Sequence, residues 1–389
     1  MVANNRTFYA TQALLLKPQY TTDGGVVTNS TNWLSPKGIQ SVGISTTFNL
    51  SQVFQMGQME LYDRPEETPE IQVTINKIID GTAPLYLLCM GGTENLTTNQ
   101  GKPLVEIANN RVNVRLGIFS DKNGAATGAV RSYVDMSGMY LSAFTYTFST
   151  DASLTEEVTL VGNSKVWNSG ILGGHPGVTQ ASFGFTGSGE APNTMMRANV
   201  VISGSVLPSG AGGIPLPSGS SPQLGAHIQN LTISSTLGRD ALRELGRHNP
   251  YYRYVNFPLE ITSEFTVISA DGDNIQANDF NEGNLDCSTG QVNQISDSLG
   301  TTAPVTGYRN TLNKEIKILL QGKACADVLQ FDLGKKNKLT SVNYSGADTG
   351  GGNATVTYSF STFNTFILSA SGTFTESQWV NLADDANFD

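Results

Sequence analysis

The 389-residue chain is short of charge: Lys, Arg, Asp and Glu together make 14% of it, against about 25% in an average soluble domain. So little charge cannot coat the outward faces of a helical bundle, and an all-helical fold is excluded. Basic residues are scarcer than acidic ones, 23 against 33, for a net charge of −10. A stable complex with phosphate backbones needs clustered Lys and Arg, so nucleic acid can only be a transient partner. Three cysteines, Cys89, Cys287 and Cys325, lack CxxC spacing and are too few for a disulfide framework, which fits thiols in a reducing cytoplasm. No apolar run reaches the roughly 18 residues of a membrane helix, and the opening MVANNRTFYATQ carries no charged segment followed by an apolar one. The expectation is a soluble, unsecreted chain with no membrane partner.

Chemical signatures are also missing. No Walker loop, dinucleotide-binding turn, His-Glu-x-x-His helix or Gly-x-Ser-x-Gly elbow occurs in a suitable context. The expectation is no enzyme, no cofactor and no metal. His175, His227 and His248 have no ligand spacing and read as surface residues. Asp271, Asp273 and Asp279 lack the Gly and Glu positions of a calcium loop and read as a solvated turn. Cys89, in PLYLLCMGG, reads as a buried small apolar residue. The nearest hydrolytic constellation is Glu156-Glu157 beside Trp167, which would need a cleft with paired carboxylates. Trp33, Trp167 and Trp379 serve as core residues or as interface anchors.

What is present is Gly, Ser, Thr and Asn around short alternating apolar runs, the mark of a mainly β chain with many turns. In Pro208 to Gly225, 13 of 18 residues are Pro, Gly or Ser, a composition that makes a linker. It divides an N-terminal arm (1–38) and a first module (39–207) from a second module (226–389). Ile39 to Pro69 laid over Ile228 to Pro258 gives nine identities in 31 ungapped positions, where about two are expected. Among them are Gln40/Gln229, Gly57/Gly246, Tyr62/Tyr251 and Arg64/Arg253. A weaker match follows in the same order, with Leu141/Leu339, Tyr146/Tyr344, Val158/Val356 and Thr159/Thr357. This pattern reads as a tandem duplication.

Within each unit Ile39 to Phe48 alternates as a strand, and RDALREL (Arg239 to Leu245) with Gly246 behind it predicts a short amphipathic helix, matched by Val53, Met56 and Gly57. The strands EIQVTI and LEITSEFTV then place Ile71, Val73 and Ile75, or Leu259, Ile261, Phe265 and Val267, on a core face. Their other faces hold Glu70, Gln72, Thr74 and Asn76, and Glu260, Thr262, Glu264 and Thr266. Arg111, Arg115 and Lys317 on neighbouring strands are expected to share that polar face and pair with its glutamates.

GRHNPYYRYVNFPLEITSEFTV following QNLTISSTLGRDALREL resembles the strand, helix, strand core of bacteriophage major tail (tail tube) proteins. The first half is similar through GIQSVGIS, PEIQVTI and EEVTLVGNSKVW. The resemblance implies two tail-tube-like modules, each a sheet or sandwich with a short packed helix, oligomerising into a closed β-barrel ring. Such rings stack into a tail tube that conducts DNA, assembled in the bacterial cytoplasm and carried in the virion. The eight polar residues just named would face the lumen. Two modules per chain favour a trimer with pseudo-sixfold symmetry, a hexamer being the alternative. The implied partners are copies of itself and sheath, tape measure, terminator or baseplate proteins. A neck, baseplate or head ring component, and a glycan-binding or hydrolytic tail-tip domain, are the other readings.

Overall fold

The computed structural model describes residues 7–21, 27–29, 33–90, 102–119, 130–169, 194–203, 227–247, 249–268, 284–285, 292–293, 315–321, 327–346, 352–370 and 379–380. The 208–225 linker, His175, His248, Cys287, Cys325 and the Asp271 to Asp279 turn lie outside them. The chain is mainly β. The first strands are β1 (Gln12–Thr21), β2 (Val27–Asn29), β3 (Trp33–Leu34), β4 (Ile39–Thr47), β5 (Val53–Phe54), β6 (Leu61–Asp63) and β7 (Glu70–Ile78). Two short helices follow, α1 (Leu85–Met90) and α2 (Leu104–Ile107), then β8 (Arg111–Phe119), β9 (Val130–Ser149), β10 (Thr155–Gly162), β11 (Val166–Ser169) and β12 (Val200–Ser203). Next come β13 (His227–Thr236), β14 (Arg239–Leu242), β15 (Tyr252–Val255), β16 (Glu260–Ile268), β17 (Asn284–Leu285) and β18 (Val292–Asn293). The last are β19 (Lys317–Gln321), β20 (Asp327–Asp332), β21 (Lys338–Ser345), β22 (Thr355–Phe363), β23 (Ile367–Ala370) and β24 (Trp379–Val380).

One run of antiparallel pairings crosses the whole molecule in the order β4-β7-β10-β9-β13-β16-β22-β21. Its two halves, β4-β7-β10-β9 and β13-β16-β22-β21, have the same connectivity and meet where β9 pairs β13. Against its buried face lie two further four-strand layers, β1-β8-β9-β11 and β12-β19-β20-β23. The twenty-residue β9 serves both layers of the first half: its start pairs β8 and β11, its end β10 and β13. In the second half β20 and β21 divide these tasks, separated by Gly334 at φ +77°. Residues 12–21, assigned by composition to an arm, therefore form a strand deep in the sheet, with Leu15 and Leu16 wholly buried. Residues 200–203 hold the matching place on β19.

The irregularities of the two halves correspond too. Gln40 is an extra residue between the pairs Ile39↔Lys77 and Ser41↔Asn76, and Gln229 is one between Ile228↔Val267 and Asn230↔Thr266. Ser142 and Thr340 bulge likewise against β10 and β22. Phe144 pairs Val158, whereas Val342 pairs Tyr358, so the structural counterpart of Val158 is Tyr358 and not Val356. A two-residue slip leaves every side chain on its own face, and alternation alone could not detect it.

The helix expected over RDALREL does not form. Arg239–Leu242 pairs with Tyr252–Val255 as a hairpin, β14–β15, and β5–β6 is its counterpart. An isolated stretch this short cannot offset the cost of helix nucleation, whereas the hairpin gains cross-strand bonds and a docking site for Arg239 and Arg253. Leu245, placed by the helical reading on a core face, is fully exposed at the hairpin tip. Gly57 and Gly246 are not helix ends but tip residues, at φ +91° and +88°, where a side chain would be strained. The helix that does cover the sheet is α1, apolar on every side and buried throughout. Cys89 within it is 1% exposed, and burial pushes its thiol far up from the usual range.

Candidate assembly surface

The long sheet has one covered face and one open face. Along β7, Ile71, Val73 and Ile75 are buried while Glu70 and Gln72 are exposed and Thr74 and Asn76 half-buried. Along β16, Ile261, Phe265 and Val267 are buried, Glu260 and Glu264 exposed, and Thr262 and Thr266 half-buried. All eight sequence-derived polar residues thus lie on the same open face. Register carries that face across the junction: Thr147 is opposite Thr232, which is opposite Glu264, which is opposite Ser359. Hydroxyl contacts lace it, Ser234 with Thr262 at 2.9 Å and Thr266 with Thr357 at 3.2 Å. Glu157, opposite Asn76 and Thr145, joins it, a member that the alternation of TEEVTLVG would have revealed.

The expected cations do not share this face. Arg115 is 1% exposed. Its Nε lies 2.6 Å from Asp135 Oδ1, and its guanidinium sits between the rings of Trp33 and Tyr133. Arg111 lies over the Tyr140 ring, and Lys317, in the separate sheet β12-β19-β20-β23, bonds Glu315 at 2.7 Å. Lys317 and Glu315 hold each other charged, the lysine above and the carboxylate below its ordinary range. The reason is topological: β8 belongs to the second layer, so its alternation counts against a different neighbour.

Glu156 and Glu157 point to opposite faces of β10 and form no paired-carboxylate cleft. Glu156 is wholly buried: it accepts hydrogen bonds from Leu85 N (2.7 Å), Tyr86 N (2.8 Å) and the Tyr146 hydroxyl (2.6 Å), tying α1 to the sheet. Burial raises its pKa, against the opposing pull of Lys77 and these three donors. Trp167 stands 55% exposed on β11, and Trp33 is core. Among the described residues no cluster of His, Cys, Asp and Glu could hold a metal ion, and no helix is long and apolar enough to cross a membrane.

At the two ends of the long sheet, β4 and β21, no further strand pairs among the described residues, and these are its bare edges. Where β13 pairs β9, Leu231, Ile233 and Tyr146 are buried; on the bare edges their counterparts Val42 and Ile44 are only half-buried and Tyr344 is 50% exposed. The hairpins differ in the same sense. β14–β15 lies over the first half, Arg239 donating to the carbonyls of Leu141 and Ala108 and Arg253 to Asn163 (3.1 Å) and Glu70 (3.1 Å). Burial pushes the Arg239 pKa down to about 10. The Tyr252 ring meets Tyr140 edge-on. β5–β6 is tied at its base by an exposed ion pair of Glu67 with Arg243 (2.8 Å), but its apolar side chains have no such docking among the described residues: Phe48, Phe54, Met56, Met59 and Tyr62 stand between 61% and 103% exposed.

No family model and no curated protein matches the chain. Among solved structures, a chain of the cryo-EM structure of the anti-feeding prophage baseplate, 6-fold symmetrised, aligns with 43% of this chain and 99% of its own length, at 12% identity and a TM-score of 0.28. A likeness that slight bears on neither fold nor function.

Proposed function

We propose that the chain is a structural virion protein whose copies join edge to edge into a closed β-barrel ring, stacked as a phage tail tube that conducts DNA. The observation that supports this is the junction of β9 with β13: the last strand of one four-strand sheet is continued by the first strand of an equivalent sheet, and the chain ends in one bare edge of each kind. A strand edge with unpaired backbone groups and half-buried apolar residues is a surface that recruits another strand. The shared bulges at Gln40 and Gln229, and at Ser142 and Thr340, support descent by tandem duplication. On the pairing, the repeated units run over 12–169 and 200–370.

Both halves contribute to one wall, so three copies supply six sheets and twenty-four strands. At ~4.8 Å spacing and ~40° tilt such a barrel closes at a backbone diameter of about 48 Å, and six copies would double the bore. The open face would line the lumen, with Glu157 and Glu264 keeping it acidic, Glu70 being paired with Arg253, and its hydroxyls neutral. A conduit needs such a wall, since every phosphate neutralised by a cation would hold the duplex in place. Sheath, tape measure, terminator or baseplate proteins are the partners that the family resemblance implies.

Native mass measurement of isolated rings tests the reading, with three copies expected. Six would overturn the twenty-four-strand barrel. Single rings without tubes would favour a neck, baseplate or head component. A hydrolytic role has no support in the position of Glu156, which is sealed beneath α1.

A further inference from the structure

The hairpins β14–β15 and β5–β6 share several equivalent pairings. Leu242 pairs Tyr252 as Val53 pairs Asp63, and Arg239 pairs Val255 as Leu50 bridges Glu66. Asn256 N donates to Gly238 O as Glu67 N donates to Asn49 O, and at the tips Arg247 N donates to Glu244 O as Gln58 N donates to Gln55 O. Yet one hairpin is docked, whereas the other is tied at its base through the exposed Glu67–Arg243 pair and leaves its apolar side chains open. Leu237, which opens the docked hairpin and donates its N–H to Ser142 O, is 1% exposed, whereas its counterpart Phe48 is 64% exposed. Arg253 is 7% exposed, and its counterpart Arg64 is exposed.

We propose that β5–β6 is a clasp that closes on the second half of a neighbouring copy of this chain, with Arg64 bonded to Glu260 of that copy. The proposal rests on the ring reading above. Arg253 bonds Glu70, the first residue of β7. The residue in that position on β16 is Glu260, exposed at the start of its strand. Carrying the docked arrangement over brings Arg64 to Glu260. It seats Phe48 beside Thr340, as Leu237 sits beside Ser142, and sets Asp63 against Lys338 where Tyr252 meets Tyr140. An aromatic contact inside the chain is thus replaced by opposite charges between chains. That substitution suits a surface which must stay soluble before assembly. Register follows from the same mapping: Ser234↔Thr145 within the chain becomes Ser45↔Asn343 between chains.

Two measurements separate the clasp from the ring. In the first, a chain carrying Ser45→Cys and Asn343→Cys, oxidised during assembly, should give disulfide-linked species up to three copies on a non-reducing gel, with the native cysteines alone as control. In the second, Arg64→Glu and Glu260→Arg should each raise the concentration needed for assembly by about tenfold, as expected for loss of a part-buried charge pair, and the double variant should restore it. Arg253→Glu, the internal equivalent, should instead lower the melting temperature of the single chain. Cross-linking with normal assembly of the two single variants overturns the clasp and leaves the ring standing. Absence of cross-links in the Ser45→Cys, Asn343→Cys chain overturns both.

Discussion

Glu156 is the residue whose environment departs furthest from what its type suggests. A carboxylate with zero exposure survives at that depth because two backbone N–H groups at the start of α1 and the Tyr146 hydroxyl converge on it, with Lys77 near. Glu156→Gln offers one acceptor oxygen for three donors, and should cost about 1–3 kcal/mol in urea denaturation. The pH dependence has a definite sign. A carboxyl whose folded pKa is raised binds more protons folded than unfolded, so its contribution to stability is greatest below the ordinary carboxylate range and declines as pH rises toward the raised value. Wild type should lose part of its advantage over Glu156→Gln as pH rises above the ordinary carboxylate range; an advantage that grows with pH would show that the three donors and Lys77 outweigh burial.

At the scale of elements, corresponding strands of the two halves lie in different environments, which makes each a control for the other. Tyr146 on β9 and Tyr344 on β21 correspond, one at 0% and the other at 50% exposure. Tyr344→Lys should leave the single chain folded, with melting within a few degrees of wild type, and abolish assembly, because a charge on an edge strand blocks strand addition. Tyr146→Asp should unfold the chain, since it buries a second carboxylate against Glu156 and among Phe144 and Phe331. Equal effects of the two substitutions would mean that β21 is not an assembly edge. Sequence marked these strands well: alternation assigned both faces of β7 and β16 correctly. It failed at β14, where Leu242 and Leu245 are spaced for a helix but are held by a hairpin whose arginines find carbonyls and a carboxylate on another part of the chain.

At the scale of the whole molecule, the open face of the proposed tube is what DNA would meet. Replacing Glu157 and Glu264 with Lys in every subunit adds cations to the wall without touching the buried face. Assembled tubes of this variant should bind duplex DNA with affinity that falls steeply with salt, while wild-type tubes bind weakly even at low salt. Tight, salt-sensitive binding by the wild type would place a different face in the channel.

The amino-acid pattern by itself determined the β class, the acidic balance, the polar face of β7 and β16, and the internal match between the two halves, because each depends on composition or on neighbours two residues apart. It could not determine that residues 12–21 are a central strand, that β9 serves two layers, or that β9 and β13 join the halves into one sheet. Nor could it show that Arg115 leaves the polar face to lie between Trp33 and Tyr133. Strand pairing is a contact between segments remote in sequence, and alternation says which side of a strand is apolar but not which strand lies beside it. Only the tertiary structure decided that, through bulges that fix register and through edges left bare at β4 and β21.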